Sequence, residues 1–244
     1  MPLAMITGGG SLMARATAKC LIADGWKIAF SDISKANAED AAAEFGGAPS
    51  TFADVLDVTD RDAAIKYADG LVAEHGSIDA LVTLAGGQRN LGVPQRPFVE
   101  SQPDEWSKLI DANLIGVINC CYAVLPHMVK AKSGTVVNIA SGRGLRGAKN
   151  NTLYSLAKAG IIRFSQSVAI EVAPHGVRVN SLAPGSAESR WMPDITVEQG
   201  TAMSPLGVRT SAEDVGNAIQ FLISQRAKHI TGSCLDVSGG VSLH

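Results

Sequence analysis

The sequence predicts a doubly wound α/β protein, a parallel sheet with helices on both faces, in one domain spanning residues 1–244. Three observations carry this expectation: seven short apolar, β-rich segments, helical patterns between them, and no linker, repeat or compositional shift that breaks the alternation. Strands that read as apolar runs suit a sheet covered on both sides, and parallel neighbours require helical crossovers.

In order, the first strand is LAMI (3–6), and the Gly-rich turn that follows leads into a helical ARATAKCLIADG. KIAFSD (27–32) is the second strand, followed by the Ala-rich helix ANAEDAAAEFG; both helical runs close on Gly, a common C-terminal stop. STFADVLDV (50–58) precedes RDAAIKYADGLVAEHG, where Ile65, Ala68 and Val72 share a helical face. The remaining strands are IDALVTLAG (78–86), GTVVNIAS (134–141), GVRVNSLAPG (176–185) and GSCLDVSGG (232–240), with helices around 104–130 and 152–173. Residues 186–209 lack a strand and hold two prolines, which reads as a lid over the carboxyl ends of the strands, where open α/β sheets bind ligands.

Composition narrows the partners. With 46% hydrophobic and 18% charged residues, a net charge of −2 and a pI near 6.2, the chain has no electrostatic footprint for nucleic acid or an anionic membrane, so a small molecule is the expected partner. MPLAMITGGG has neither a basic nor a long apolar run, and LIGVINCCYAVL (114–125) is too short to span a bilayer, so a cytoplasmic protein is expected. Cys20, Cys120, Cys121 and Cys234 form no CxxC pair and read as buried free thiols. The scattered histidines predict no metal site.

Thr7 to Ala16, TGGGSLMARA, is a candidate phosphate turn. A strand that runs through a tight turn into a helix offers free amides and the positive end of the helix dipole to a pyrophosphate. Gly8, Gly9 and Gly10 suit the turn, although a strand-to-helix turn without ligand reads the same way. Asp32, ending the second strand, stands where a carboxylate accepts hydrogen bonds from a ribose 2′-OH and repels a 2′-phosphate, which favours NAD over NADP. Tyr154 and Lys158, four apart on a helix, share a face, where an ammonium favours phenolate and makes proton exchange workable near neutrality.

Each of these is a weak signal alone. Together with Asp57-Val58, Ala85-Gly86-Gly87, Asn113-Leu114, Ser141, VRVNSLAPG and the terminal ITG and SGG, in this order and spacing, the chain resembles the short-chain dehydrogenase/reductases over nearly its whole length. The resemblance implies a Rossmann-type fold and an NAD cofactor. It also implies a catalytic set in which Tyr154 exchanges a proton with the substrate oxygen, Lys158 lowers the phenol's pKa and binds the nicotinamide ribose, Ser141 hydrogen-bonds the substrate oxygen, and Asn113 holds a relay water. Cofactor contacts carried over are Gly8, Ser11, Leu12, Met13, Asp32, Ile33, Asp57, Val58, Ala85, Gly86, Tyr154, Lys158, Pro184, Gly185, Ala187 and Ser189. Ser11 lacks the basic charge that NADP-dependent members often carry there. The family also implies a homotetramer or dimer that pairs helices around 104–130 and 152–173.

Three places depart from the family pattern. Leu12 and Ala14 replace the last two glycines of TGxxxGxG, and the Cβ of Leu12 is expected to restrict the backbone and press toward the pyrophosphate. Thr83 and Leu84 replace two Asn of NNAG, losing an amide that ties neighbouring strands, and Ser238 replaces an Asp before the terminal GG. Arg143, Arg146, Arg190 and Trp191, with Arg89, Arg96 and Met192, sit where a substrate would be read, so the expected activity is interconversion of a secondary alcohol, cyclic or carboxylate-bearing, and its ketone. A 3-oxoacyl-thioester reductase is the alternative enzyme, which Asp32 opposes because such members generally use NADPH. A non-catalytic dinucleotide-binding regulator is the alternative without turnover, and it has no need of the proton relay.

Overall fold

The computed structural model describes residues 1–186, 197–202 and 204–242. Seven parallel strands form one sheet: β1 (Leu3–Thr7), β2 (Lys27–Asp32), β3 (Thr51–Val55), β4 (Ala80–Thr83), β5 (Gly134–Ile139), β6 (Val177–Pro184) and β7 (Cys234–Val237), in spatial order β3-β2-β1-β4-β5-β6-β7. All seven expected strands are present, and the chain order reverses between β1 and β4, where Ala4 pairs with Ile28 on one side and Ala80 on the other. That switch point opens a crevice at the carboxyl ends of the strands.

The helices cover both faces. On one lie α1 (Leu12–Ala23), α2 (Lys35–Glu44) and α9 (Ala212–Ile223), whose Ala14, Leu21, Ala41, Val215 and Ile219 meet Ile6, Ile28 and Phe30 in one core. On the other lie α3 (Arg61–His75), α5 (Gly116–Ala131) and α7 (Thr152–Val172), whose Leu71, Val124, Met128 and Ile161 meet Met5, Leu81 and Val136. Each fully buried Leu or Ile contributes roughly 1.5–3 kcal/mol. Helix starts follow local chemistry: Asp60 accepts from Ala63 N at 2.9 Å to cap α3, and Ser211 and Asp214 cap α9 reciprocally. Gly25 (φ +81°) and Gly76 (φ +87°) follow α1 and α3 in the left-handed region that glycine favours.

The expected helix around 104–130 is divided: α4 (Pro103–Ile110) runs through a π turn at Asp111–Ile115 into α5. The stretch Pro103–Ala131 is long and apolar enough to cross a membrane, yet Val117, Cys120, Cys121, Val124 and Met128 are buried against the sheet, so it serves as an interior helix. Among the described residues two short helices complete the set, α6 (Gly142–Leu145) and α8 (Val197–Ala202), the latter inside the segment read as a lid. Four free cysteines are present, but only Cys120 and Cys121 are buried; Cys20 and Cys234 are half-buried, correcting the expectation for those two.

The strand tie expected to be lost at Thr83 survives by another route. Thr83 Oγ1 donates to Asn138 Oδ1 at 3.0 Å across β4 and β5, and Asn138 Nδ2 donates to Ser165 Oγ on α7 at 3.0 Å. All three residues are buried, so a hydroxyl on β4 paired with an amide on β5 replaces an amide on β4.

Candidate active site

Every element that ends at the carboxyl edge of the sheet contributes to one crevice. The turn after β1 is built by Gly8 at φ +70°, where an added Cβ would come within 2.7 Å of the Ala85 amide nitrogen, so only glycine lets β1 and β4 end this close. Ser11 caps α1 through its hydroxyl, which accepts from Ala14 N at 3.1 Å. Leu12 is then the first helical residue, with no positive φ, so its Cβ imposes no backbone strain, contrary to expectation. Being first and second in the helix, the amides of Leu12 and Met13 have no intrahelical acceptor, and Ala14 is fully buried where the helix meets the sheet.

Asp32 leans back onto this turn: Oδ2 accepts from Gly10 N at 3.0 Å and Oδ1 from Ser34 N at 3.0 Å. Each oxygen keeps a lone pair for a further donor. Beside it Ile33 is exposed, while Val58 is buried against Gly116 and Asp57 accepts from the Thr59 amide and hydroxyl at 2.9 and 2.7 Å. Ala85 N donates to Thr7 Oγ1 at 3.2 Å. Pro184 ends β6, and Gly185 packs so closely on Ser238 that a Cβ would meet its Cα at 2.8 Å. The expected contacts at Ala187 and Ser189, and the substrate residues Arg190, Trp191 and Met192, lie outside the described residues.

Asn113 sits in the π turn, fully buried. Its Oδ1 accepts from Gly87 N at 2.7 Å, while Nδ2 donates to Gly87 O at 2.8 Å and Leu109 O at 3.0 Å. Both amide protons are therefore occupied, so the side chain clamps the turn after β4 rather than holding a water with them. The π geometry had no sequence signal; such turns gather at functional sites.

Ser141, Tyr154 and Lys158 come together as the spacing predicts. Ser141, two residues past β5, caps α6 by accepting from Arg143 N at 3.2 Å and hydrogen-bonds the Tyr154 phenol. One turn along α7, the Lys158 ammonium lies 5.8 Å from the centre of the Tyr154 ring and donates to Ile139 O at 2.9 Å. The pKa balance differs from the expectation. Burial raises the phenol above its usual range, with the Ser141 hydrogen bond and the Arg143 charge pulling it partly back. Burial pushes Lys158 down to about 7. The charge that lowers the phenol is that of Arg143.

A stability prediction follows from Lys158. Its folded-state pKa is lowered from 10.5 to about 7. Between those values the unfolded chain binds more protons, so stability contributed at this site rises with pH above about 7. Thermal midpoints of the dinucleotide-free protein and of Lys158→Met, compared from about pH 7 to 9, should diverge, with the wild type gaining and the variant lacking that rise.

The loop arginines separate. Arg143 is half-buried beside Tyr154, with Arg89 and Arg146 close enough to act on its charge, and among the described residues no carboxylate pairs with it. Arg146 is exposed at the end of α6. Arg96 is ion-paired to Glu105 at 2.9 Å, which removes it from the substrate-reading set. Gln88 and Asn151, which the sequence reading passed over, line the same cleft as Tyr154.

Residues 10–242 match the family described as enoyl-(acyl carrier protein) reductase. The 3-oxoacyl-(acyl-carrier-protein) reductase FabG of Thermotoga maritima is 33% identical over 241 residues, covering 97% of this chain and 96% of that relative. The cis-4-hydroxycyclohexanecarboxylate dehydrogenase of Sinomonas cyclohexanicum is 35% identical over 242 residues, covering 98% and 95%. Among solved structures, levodione reductase superposes with a TM-score of 0.91 at 29% identity, covering 99% of this chain and 97% of that one. The fold, the crevice and these relatives define an α/β oxidoreductase. The chain belongs to the short-chain dehydrogenase/reductase family.

Proposed function

We propose that this protein is an NAD(H)-dependent dehydrogenase that interconverts a cyclic, carboxylate-bearing secondary alcohol and its ketone. The residues fit a dinucleotide. Gly8 leaves no room for a Cβ, the first-turn amides of α1 are available to phosphate, and Asp32 is held with lone pairs free for a ribose. Leu12 and Met13 would hold the pyrophosphate through their amides, Asp32 the adenosine ribose, Ile33 and Val58 the adenine flank, and Ala85, Gly86, Pro184 and Gly185 the nicotinamide half. Bound there, the nicotinamide accepts or supplies the hydride.

The chain's own residues manage the proton and the alignment. Tyr154 takes the alcohol proton or returns it to the ketone oxygen, and Ser141, already bonded to the phenol, shares that oxygen. Lys158 would hold the nicotinamide ribose and pass protons behind the tyrosine. Since the Asn113 carboxamide is occupied by Gly87 and Leu109, a relay water would rest on the backbone of the π turn instead. The intact Ser141, Tyr154, Lys158 and Asn113 set disfavours a non-catalytic regulator, which requires no proton path. Tyr122, Leu156 and Ile170 leave apolar side chains exposed on α5 and α7, which supports pairing of these helices in a homodimer or homotetramer; a sedimentation run with only a 25.3 kDa species removes that part.

The carrying observation for the substrate is Arg143, beside the reacting phenol and without a carboxylate partner among the described residues. Its planar fork suits a substrate carboxylate. The test is NADH formation from 4-hydroxycyclohexanecarboxylate and from cyclohexanol. Arg143→Ala should raise KM for the acid about tenfold or more and leave KM for cyclohexanol nearly unchanged, while any loss of kcat through the Tyr154 phenol is shared by both substrates. An equal effect on both would remove the anionic substrate. The similarity to FabG reductases favours a second reading, reduction of a 3-oxoacyl thioester; turnover of acetoacetyl-N-acetylcysteamine in preference to the cyclic acid would establish it.

A further inference from the structure

The cleft in front of Tyr154 is lined by Gln88, Val93, Arg96, Trp106 and Asn151, among others. Several of its polar groups are already engaged. Arg96 pairs with Glu105, and the Ser101 hydroxyl donates to Phe98 O at 2.7 Å while accepting from Trp106 Nε1 at 2.8 Å. Among the described residues that line it, Gln88 Oε1 and Asn151 Oδ1 are buried and have no hydrogen-bond partner. Gln88 is 8% exposed and Asn151 3% exposed, so bulk water does not supply the missing donors.

The orientation of both carboxamides is fixed by what their nitrogens do. Gln88 Nε2 donates to Pro94 O at 3.3 Å, and Asn151 Nδ2 donates to Lys149 O at 3.2 Å. A carbonyl only accepts, so neither amide gains by turning over, and the oxygen ends remain toward the unsatisfied side. Asn151 also stands at the N-cap of α7, where an Asn oxygen ordinarily accepts from the first turn; here it makes no such bond. The preceding Asn150 holds φ +62°, a left-handed conformation of the kind that gathers at functional sites. Buried acceptors left open in this way call for a donor from a bound molecule.

We infer that Gln88 Oε1 and Asn151 Oδ1 form a hydroxyl subsite, so that the substrate carries at least one hydroxyl beyond the reacting alcohol. This rests on the reading of the cleft as the substrate site of a dehydrogenase. Two carbonyl oxygens repel a carboxylate, and the Arg143 charge beside the phenol opposes a substrate ammonium. A neutral hydroxyl satisfies both conditions. The two ends of the substrate are thereby sorted: the carboxylate toward Arg143, the added hydroxyl toward Gln88 and Asn151.

The test compares 4-hydroxycyclohexanecarboxylate with the cis and trans 3,4-dihydroxycyclohexanecarboxylates, using the full-length protein with NAD. One of the dihydroxy acids should have a kcat/KM about tenfold or more higher, because a site built to pair a hydroxyl rejects the analogue that lacks it. Asn151→Leu and Gln88→Leu should bring that ratio close to one, and Asn151→Asp, which keeps an acceptor, should retain it. Equal kcat/KM for the monohydroxy and dihydroxy acids in the wild type overturns the subsite, the cleft then holding water only. If no acid is turned over, the dehydrogenase reading fails on its own, and calorimetric binding to the NADH-loaded protein decides the subsite separately. Tighter binding of a dihydroxy acid upholds it, and equal or absent binding overturns it.

Discussion

Tyr154→Phe is expected to lower kcat by roughly 10²–10⁴-fold, about 3–5 kcal/mol of barrier, while NADH affinity and the thermal midpoint stay close to the wild type. The effect is local to one oxygen. The phenol oxygen carries the hydrogen bond to Ser141 and faces the Arg143 charge, whereas the ring provides the packing and lies near Lys158. Phenylalanine keeps the ring and deletes only the oxygen, so what is lost is the proton acceptor and donor. Because burial raises the phenol, its useful acidity depends on the cations and hydroxyl around it, and oxidation should fall as pH is lowered. A Tyr154→Phe enzyme that kept most of its kcat would move the proton chemistry elsewhere in the crevice.

The second large effect is at the other end of the cofactor crevice. Asp32→Asn is expected to erase most of the preference for NAD over NADP. A carboxylate about 4 Å from a phosphate charge is disfavoured by about 1 kcal/mol in bulk water and about 4 kcal/mol near a protein surface, and half-buried Asp32 falls between. The preference therefore corresponds to about 10- to 100-fold in affinity. Asparagine retains an acceptor for the ribose and for one of the Gly10 and Ser34 amides, so the exchange isolates charge from hydrogen bonding. Asp32→Ala should additionally weaken NADH itself, since both amides lose their acceptor. An unchanged NADH to NADPH ratio in Asp32→Asn would show that the second strand end does not read the ribose.

The sheet was the most legible part of the sequence because buried parallel strands are written as short apolar runs with punctuated ends, and KIAFSD is β2 residue for residue. The Tyr154–Lys158 pairing was legible for a similar reason: helical spacing places both on one face. What the sequence hid depends on contacts made at a distance. The strand tie through Thr83 and Asn138 joins residues 55 apart, so the loss of an Asn at position 83 read as a loss of the tie. Leu12 looked obstructive because the family pattern puts glycine there, whereas Ser11 starts α1 one residue earlier and gives Leu12 ordinary helical angles. The π turn at Asp111–Ile115 has no residue signature at all. Gln88 and Asn151 escaped notice because an amide's importance here lies in the hydrogen bond it fails to make.

The most direct test of the account is a titration of the purified wild-type protein with NADH and NADPH, each followed by nicotinamide fluorescence. Saturable NADH binding at least about tenfold tighter than NADPH is expected, with Leu12 no obstacle and Asp32 the discriminator. NADPH binding as tight as NADH or tighter would contradict it and turn the reading toward thioester reduction, and no binding of either would leave the Ser141–Tyr154–Lys158 set without a hydride partner.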